Sequence, residues 1–123
     1  MRVLMYQERF VTSIRSKRKR QTIRGFSKRP TLPGEELSHR RWTAKPYRGP
    51  QEIILASQCD YVELVQIGRR KNGSLAVELS GRLLGPVAVE RFAKADGFED
   101  AADMLSYYVS DRSLPFAGVV IRW

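Results

Sequence analysis

Residues 16–24 read SKRKRQTIR. Four consecutive cations, Lys17 to Arg20, run straight into Gln21, Thr22, Ile23 and Arg24. A basic tail that only grips phosphates needs no pattern. This stretch ends in one: Arg20, Thr22 and Arg24 share one face of an extended chain, with Gln21 and Ile23 on the other. The β-branched pair Thr22-Ile23 also favours a strand. The run is therefore expected to enter a folded domain, where each lysine acquires fixed surroundings.

Working outward, RVLMY (2–6) is a short apolar first strand. In ERFVTSIRS (8–16), Phe10, Val11 and Ile14 fall on one helical face. GFSKRPTLPGEEL (25–37) carries two glycines and two prolines, the composition of a loop and turn. A strand from ELSHRRW and a second basic loop, TAKPYRG, come next. QEIILAS and YVELVQIG read as strands, Asn72-Gly73 as a hairpin turn, and SLAVELSGRLLG as the returning partner. VAVERFA (87–93) reads as a further strand. DGFEDAADMLSYYVSD (96–111) is the strongest helix, with Phe98, Ala101, Ala102, Leu105 and Tyr108 on one face. Asp96 stands three residues before Glu99, the spacing of a capping box. FAGVVIRW closes the chain as a strand. About six strands and two main helices predict an α+β domain over 1–123, a small, mostly antiparallel β-barrel with helices covering its ends.

The chain has 123 residues, 42% of them hydrophobic, which suits one domain with a real core. Its net charge of +9 is uneven: residues 1–50 carry +11 and residues 51–123 carry −2. That asymmetry points to a polyanion, most often nucleic acid, the other reading being a solvated basic face. No apolar run is long enough to span a bilayer, and MRVLMYQERF is too short and polar for a signal peptide. A cytoplasmic protein is expected. One cysteine, Cys59, and one histidine, His39, cannot build a zinc cluster, and no cofactor motif is present.

The order of pieces resembles the ASCH domain family, small barrels related to the PUA RNA-binding fold. The resemblance runs over nearly the whole chain. Its most specific element is Lys19-x-x-Thr22-x-Arg24, placed after Phe10 and Ile14. PGEEL, then ADGF opening a helix, then the final strand follow in the family's order. Lys17 stands where the family has a glycine, and the segment from Gln51 to Leu84 is longer than in its smallest members. An extended hairpin there would cover or extend the groove.

The resemblance implies a function. Characterised small members include an amidohydrolase that removes the acetyl group from N4-acetylcytidine, and other relatives bind RNA or have ribonuclease activity. The amidohydrolase works with a lysine, a threonine and a carboxylate, which fall here on Lys19, Thr22 and Asp96. That carboxylate is a glutamate in the enzyme and an aspartate here. In chemical terms, Thr22 would supply the nucleophilic oxygen and Lys19, if neutral, the base. Crowding by Lys17, Arg18 and Arg20 would help to keep Lys19 neutral. Asp96 would pass a proton to the leaving nitrogen, and Arg24 would clamp an oxyanion or a base carbonyl in the substrate-binding role.

Each residue also has a plainer role. Lys19 could be one more phosphate-facing cation, Thr22 a strand residue, Asp96 an N-cap, and Arg24 half of an ion pair. Arg18, Arg20, Lys28, Arg29, Arg40, Arg41, Lys45 and Arg48 interleave with Phe26, Trp42 and Tyr47. Cations beside aromatics suit single-stranded RNA, and equally a solvated face around a core tryptophan. His39 looks exposed and has no visible partner for base chemistry. Two functions therefore stand: an amidohydrolase of a modified nucleoside, and an RNA-binding module with or without ribonuclease activity.

Overall fold

The computed structural model describes residues 1–44 and 49–123. Lys45, Tyr47 and Arg48, three of the candidate nucleic-acid contacts, lie outside the described residues. The described chain runs β1 (Arg2–Met5), a 3-10 turn (Glu8–Phe10), α1 (Val11–Arg15), β2 (Gln21–Arg24), β3 (Glu36–Trp42), β4 (Gln51–Gln58), β5 (Tyr61–Arg69), β6 (Leu75–Leu79), β7 (Arg82–Leu83), α2 (Pro86–Ala95), α3 (Ala101–Asp111) and β8 (Phe116–Arg122).

The strands hydrogen-bond as two sheets, β1-β3-β4 and β2-β8-β5-β6-β7. All the described pairings are antiparallel except β1 with β3. The domain is thus α+β and mostly antiparallel. Period-two burial builds the sheets: Val65 and Ile67 in β5, and Leu75, Val77 and Leu79 in β6, are all buried. The β5–β6 turn falls at Asn72-Gly73, with Gly73 at φ +87°. Leu37, Val120, Ile121, Met104 and Tyr108 join the same core. α1 packs against β4, while α2 and α3 pack on β6. No helix among the described residues is long and apolar enough to cross a membrane.

Two expectations are corrected here. Residues 87–93 form the middle of α2, not a strand. VAVE alternates over four residues only, whereas Val89, Phe92 and Ala93 sit at helical spacing and all three are buried. Gly85 caps this helix and Pro86, with its preset φ, opens it. Asp96, in turn, is not the N-cap of the last helix. Asp100 is, accepting a 2.8 Å hydrogen bond from the Asp103 backbone N–H. Asp96 instead closes α2.

Candidate active site

After α1 the chain turns through Lys17, whose φ of +64° lies in the left-handed region. Glycine enters that conformation without strain, whereas a lysine there is uncommon. The Lys17 N–H bonds Ile14 O at 3.1 Å and the Lys19 N–H bonds Ser13 O at 2.9 Å. The turn carries Lys19 inward. Its side chain is only 2% exposed, while Arg18 and Arg20 on either side are exposed.

Asp96 meets Lys19 from the far end of α2. That helix ends in a Schellman motif: the Gly97 N–H bonds Lys94 O at 3.0 Å and the Phe98 N–H bonds Ala93 O at 3.0 Å. The motif needs a left-handed residue after Asp96, and Gly97 supplies it at φ +95°. It also buries Phe98 and turns the Asp96 carboxyl inward, at 4% exposure. Lys19 Nζ lies 3.6 Å from Asp96 Oδ1 and donates to the Asp96 backbone carbonyl. Gln21 Nε2 donates to the same Oδ1 at 3.4 Å.

Gly97 is doubly constrained. A Cβ there would stand 2.9 Å from Lys19 Cδ and 3.1 Å from Phe10 Cδ1. Gly97→Ala is expected to lower unfolding stability by about 1–3 kcal/mol through backbone strain, and to push Lys19 off Asp96. Urea denaturation checks the first effect; an unchanged midpoint would contradict the packing described.

Lys19, Thr22, Arg24 and Asp96 line one cleft of about 700 Å3. Tyr6, Phe10, Phe98, Tyr107 and Tyr108 form aromatic walls, and Arg41 and Trp42 also line it. Arg24 donates through Nε to Thr22 Oγ1 at 3.1 Å and through Nη2 to Met5 O at 2.8 Å. Its guanidinium lies 4.8 Å from the Tyr6 ring centre. Lys19 Nζ lies 4.7 Å from the Phe10 ring centre. No residue between Gln51 and Leu84 lines the cleft, so the longer central segment does not extend it.

Burial governs the charges. It lowers the Lys19 amine from 10.5 to about 8, against the opposing pull of Asp96, with Arg24 and Arg9 adding to the lowering. Burial likewise raises the Asp96 carboxyl, with Lys19 resisting. The carbonyl end of α2 is a poor place for a carboxylate, which acts in the same direction. The tuning thus comes from burial and from Arg24 and Arg9, and not from Lys17, Arg18 and Arg20 as the sequence led us to expect. A side chain next in sequence need not be next in space.

Comparison with protein-family models, curated proteins and solved structures finds no match for this chain. What the site can do therefore rests on its own geometry.

Of the residues expected at the site, the structure brings Lys19, Thr22, Asp96 and Arg24 together. The candidate nucleic-acid contacts scatter. Arg41 is tied to Glu8 at 2.5 Å and Glu52 at 3.2 Å. Arg40 donates to Ser38 Oγ at 2.8 Å and Gln51 Oε1 at 3.1 Å. Arg29 pairs with Glu35 at 3.0 Å. Lys28 is exposed on the same 25–35 loop. His39 corrects its expectation fully, being 0% exposed. Its Nδ1 meets Tyr6 Oη at 2.8 Å and its Nε2 meets Ser57 Oγ at 2.7 Å. Tyr6 and His39 carried no signal in the sequence, because neither lies near the Lys19–Arg24 element along the chain.

Proposed function

We propose that the chain is an ASCH/PUA-like barrel domain and an amidohydrolase, removing the acyl group from N4-acetylcytidine or a similar modified nucleoside. The observation that carries this reading is the buried Lys19–Asp96 pair opening, beside Thr22 and Arg24, into an aromatic-walled cleft of about 700 Å3. That volume is within the range of small-molecule sites. An ion pair serving stability alone gains little from being buried, since the desolvation cost offsets the attraction. A pair sharing one proton can do acid–base chemistry.

The steps follow from the groups. Neutral Lys19 takes the Thr22 proton as Oγ1 attacks the acyl carbon. Negative charge collects on the acyl oxygen beside Arg24. The C–N bond breaks as protonated Asp96 gives its proton to the cytosine nitrogen. Water then cleaves the Thr22 ester: Asp96 takes a proton from the water, and Lys19 returns its proton to Oγ1. One acyl amide and one water become an acid and an amine.

Incubation with N4-acetylcytidine and chromatography of released cytidine tests the proposal. Release is expected, and none would overturn it. The pH profile of kcat/KM reads the pair. Neutral Lys19 with protonated Asp96 holds the same single proton as the ammonium–carboxylate form, so the pair titrates as a unit. Activity is expected to fall above about pH 8, where that last proton leaves Lys19. It should also fall on the acid side, where the pair gains a second proton. A profile that rises through pH 8 would remove Asp96 from the acid role.

The second reading, an RNA-binding module, is favoured by the +9 charge and by exposed Arg18, Arg20 and Lys28. Both hold if the modified base sits within RNA. Affinity for RNA should then fall steeply with salt.

A further inference from the structure

Behind the Lys19–Asp96 pair stands a buried amide that the reaction steps do not use. Gln21 is 3% exposed, and a buried amide must find partners for both its oxygen and its N–H groups. The sheet supplies them. β2 pairs with β8 so that Gln21 stands directly opposite Arg122, and β8 pairs with β5 so that Arg122 stands opposite Tyr61. Glu63 follows Tyr61 by two residues, on the same face of β5. Alternation thus gathers Gln21, Arg122, Tyr61 and Glu63 on one face of three neighbouring strands.

The contacts run in a line toward the pair. Arg122 Nη1 lies 3.3 Å from Glu63 Oε2, and the guanidinium stands 5.7 Å from the Tyr61 ring centre. Held there, Arg122 donates through Nε to Gln21 Oε1 at 3.4 Å. Gln21 Nε2 in turn donates to Asp96 Oδ1 at 3.4 Å. Both bonds are long, so they matter more for direction than for strength. The direction follows from the groups. Arginine only donates, so the Gln21 oxygen faces Arg122 and its NH2 faces Asp96. The reversed amide would set NH2 against the guanidinium and oxygen against a carboxyl oxygen. Lys19 Nζ lies 3.6 Å from the same Oδ1, so that oxygen faces two nitrogen donors.

We infer that Gln21, oriented by Arg122 and Glu63, is a positioning residue for Asp96: it fixes Oδ1 as the acceptor oxygen and so assigns the transferable proton to Oδ2. The inference rests on the amidohydrolase reading only for the use made of that proton. In that reaction the Oδ2–H bond breaks as the cytosine nitrogen keeps the electron pair of the broken C–N bond and takes the proton. Oδ2 later receives a proton from water. Gln21 itself gains and loses no proton, and it is not among the residues that line the cleft. Its donation to Oδ1 also favours the carboxylate, opposing the burial that raises Asp96. The other titratable or charged groups acting on Asp96 are Lys19, Arg24 and the phenols of Tyr6 and Tyr108. Gln21→Met and Gln21→Leu leave the charge of all four as it is.

Two titrations followed by nuclear magnetic resonance test the bond without any substrate. In protein labelled with carbon-13 at the aspartate carboxyls, the Asp96 signal is the one missing from Asp96→Asn. Its midpoint is expected to lie at higher pH in Gln21→Met and Gln21→Leu than in the wild type, because the carboxylate has lost a donor. A midpoint that stays or falls would overturn the inference. In the wild type, the Gln21 side-chain NH2 signals should titrate with the Asp96 carboxyl; an NH2 that ignores that titration would overturn the assigned direction. With N4-acetylcytidine, Gln21→Met should lower kcat about 10-fold with KM changed less than about 3-fold. The acid side of its pH profile should move to higher pH along with the Asp96 midpoint. Unchanged kcat would overturn the positioning role. If the wild type releases no cytidine, the amidohydrolase reading alone fails, and the two titrations decide the Gln21–Asp96 contact by themselves.

Discussion

Lys19→Ala is expected to abolish cytidine release, lowering kcat/KM by about 10^3-fold or more, while the neighbouring Arg18→Ala and Arg20→Ala change it little. General acid–base groups contribute roughly 10^2–10^4-fold each, and Lys19 serves both the attack and the return of the proton. The three cations are close in sequence but not in environment: Lys19 is 2% exposed and the other two lie on the surface. If the chain is instead an RNA-binding module, Arg18→Ala and Arg20→Ala should weaken RNA binding modestly, and none of the three substitutions should matter for cytidine release. Parallel measurement of cytidine release and RNA affinity for the three variants separates the cases. Equal effects on turnover would sink the catalytic role of Lys19.

The second large effect is on stability. Asp96→Ala removes the carboxylate that holds the buried Lys19 amine charged, so at pH 7 the variant must keep an unpaired ammonium or give up its proton, a cost of up to about 3–5 kcal/mol. Urea denaturation at pH 7 should show that loss together with loss of turnover. The paired variant Lys19→Met/Asp96→Asn removes both charges and nearly keeps the volumes. It is expected to fall within about 1–2 kcal/mol of the wild type and to remain inactive. A double variant as unstable as Asp96→Ala alone would mean that the pair is held for structure rather than for chemistry.

Legibility in the sequence was uneven, for definite reasons. The strands β5 and β6 were readable because their period-two burial is local, and β8 because it is a short apolar run. So was the turn at Asn72-Gly73, where glycine enters a left-handed conformation. The helix α2 was not, because Val87, Ala88, Val89 and Glu90 alternate for four residues and mimic a strand; Pro86, at the first helical position, was the signal that could have corrected it. The cap was misplaced because both Asp96 and Asp100 precede the last helix and an acidic residue follows each by three. Only the Asp103 N–H bond to Asp100 tells them apart. That difference decides Asp96's role, since an N-cap carboxylate would be held charged, whereas at the end of α2 it is buried and pushed toward neutrality.

By itself, then, the sequence determined the α+β, mostly antiparallel class and the extended run at residues 21–24 through short-range patterning, while Lys19, Thr22 and Arg24 were singled out as a set only by the resemblance to a family. Only the tertiary structure decided which lysine of the basic run is buried, that Asp96 faces it, and that His39 is buried between Tyr6 and Ser57. Those contacts join segments far apart in the chain: Lys19 and Asp96 are separated by 77 positions. Burial, the largest influence on both their proton affinities, is a property of the packed domain and has no local signature in the chain.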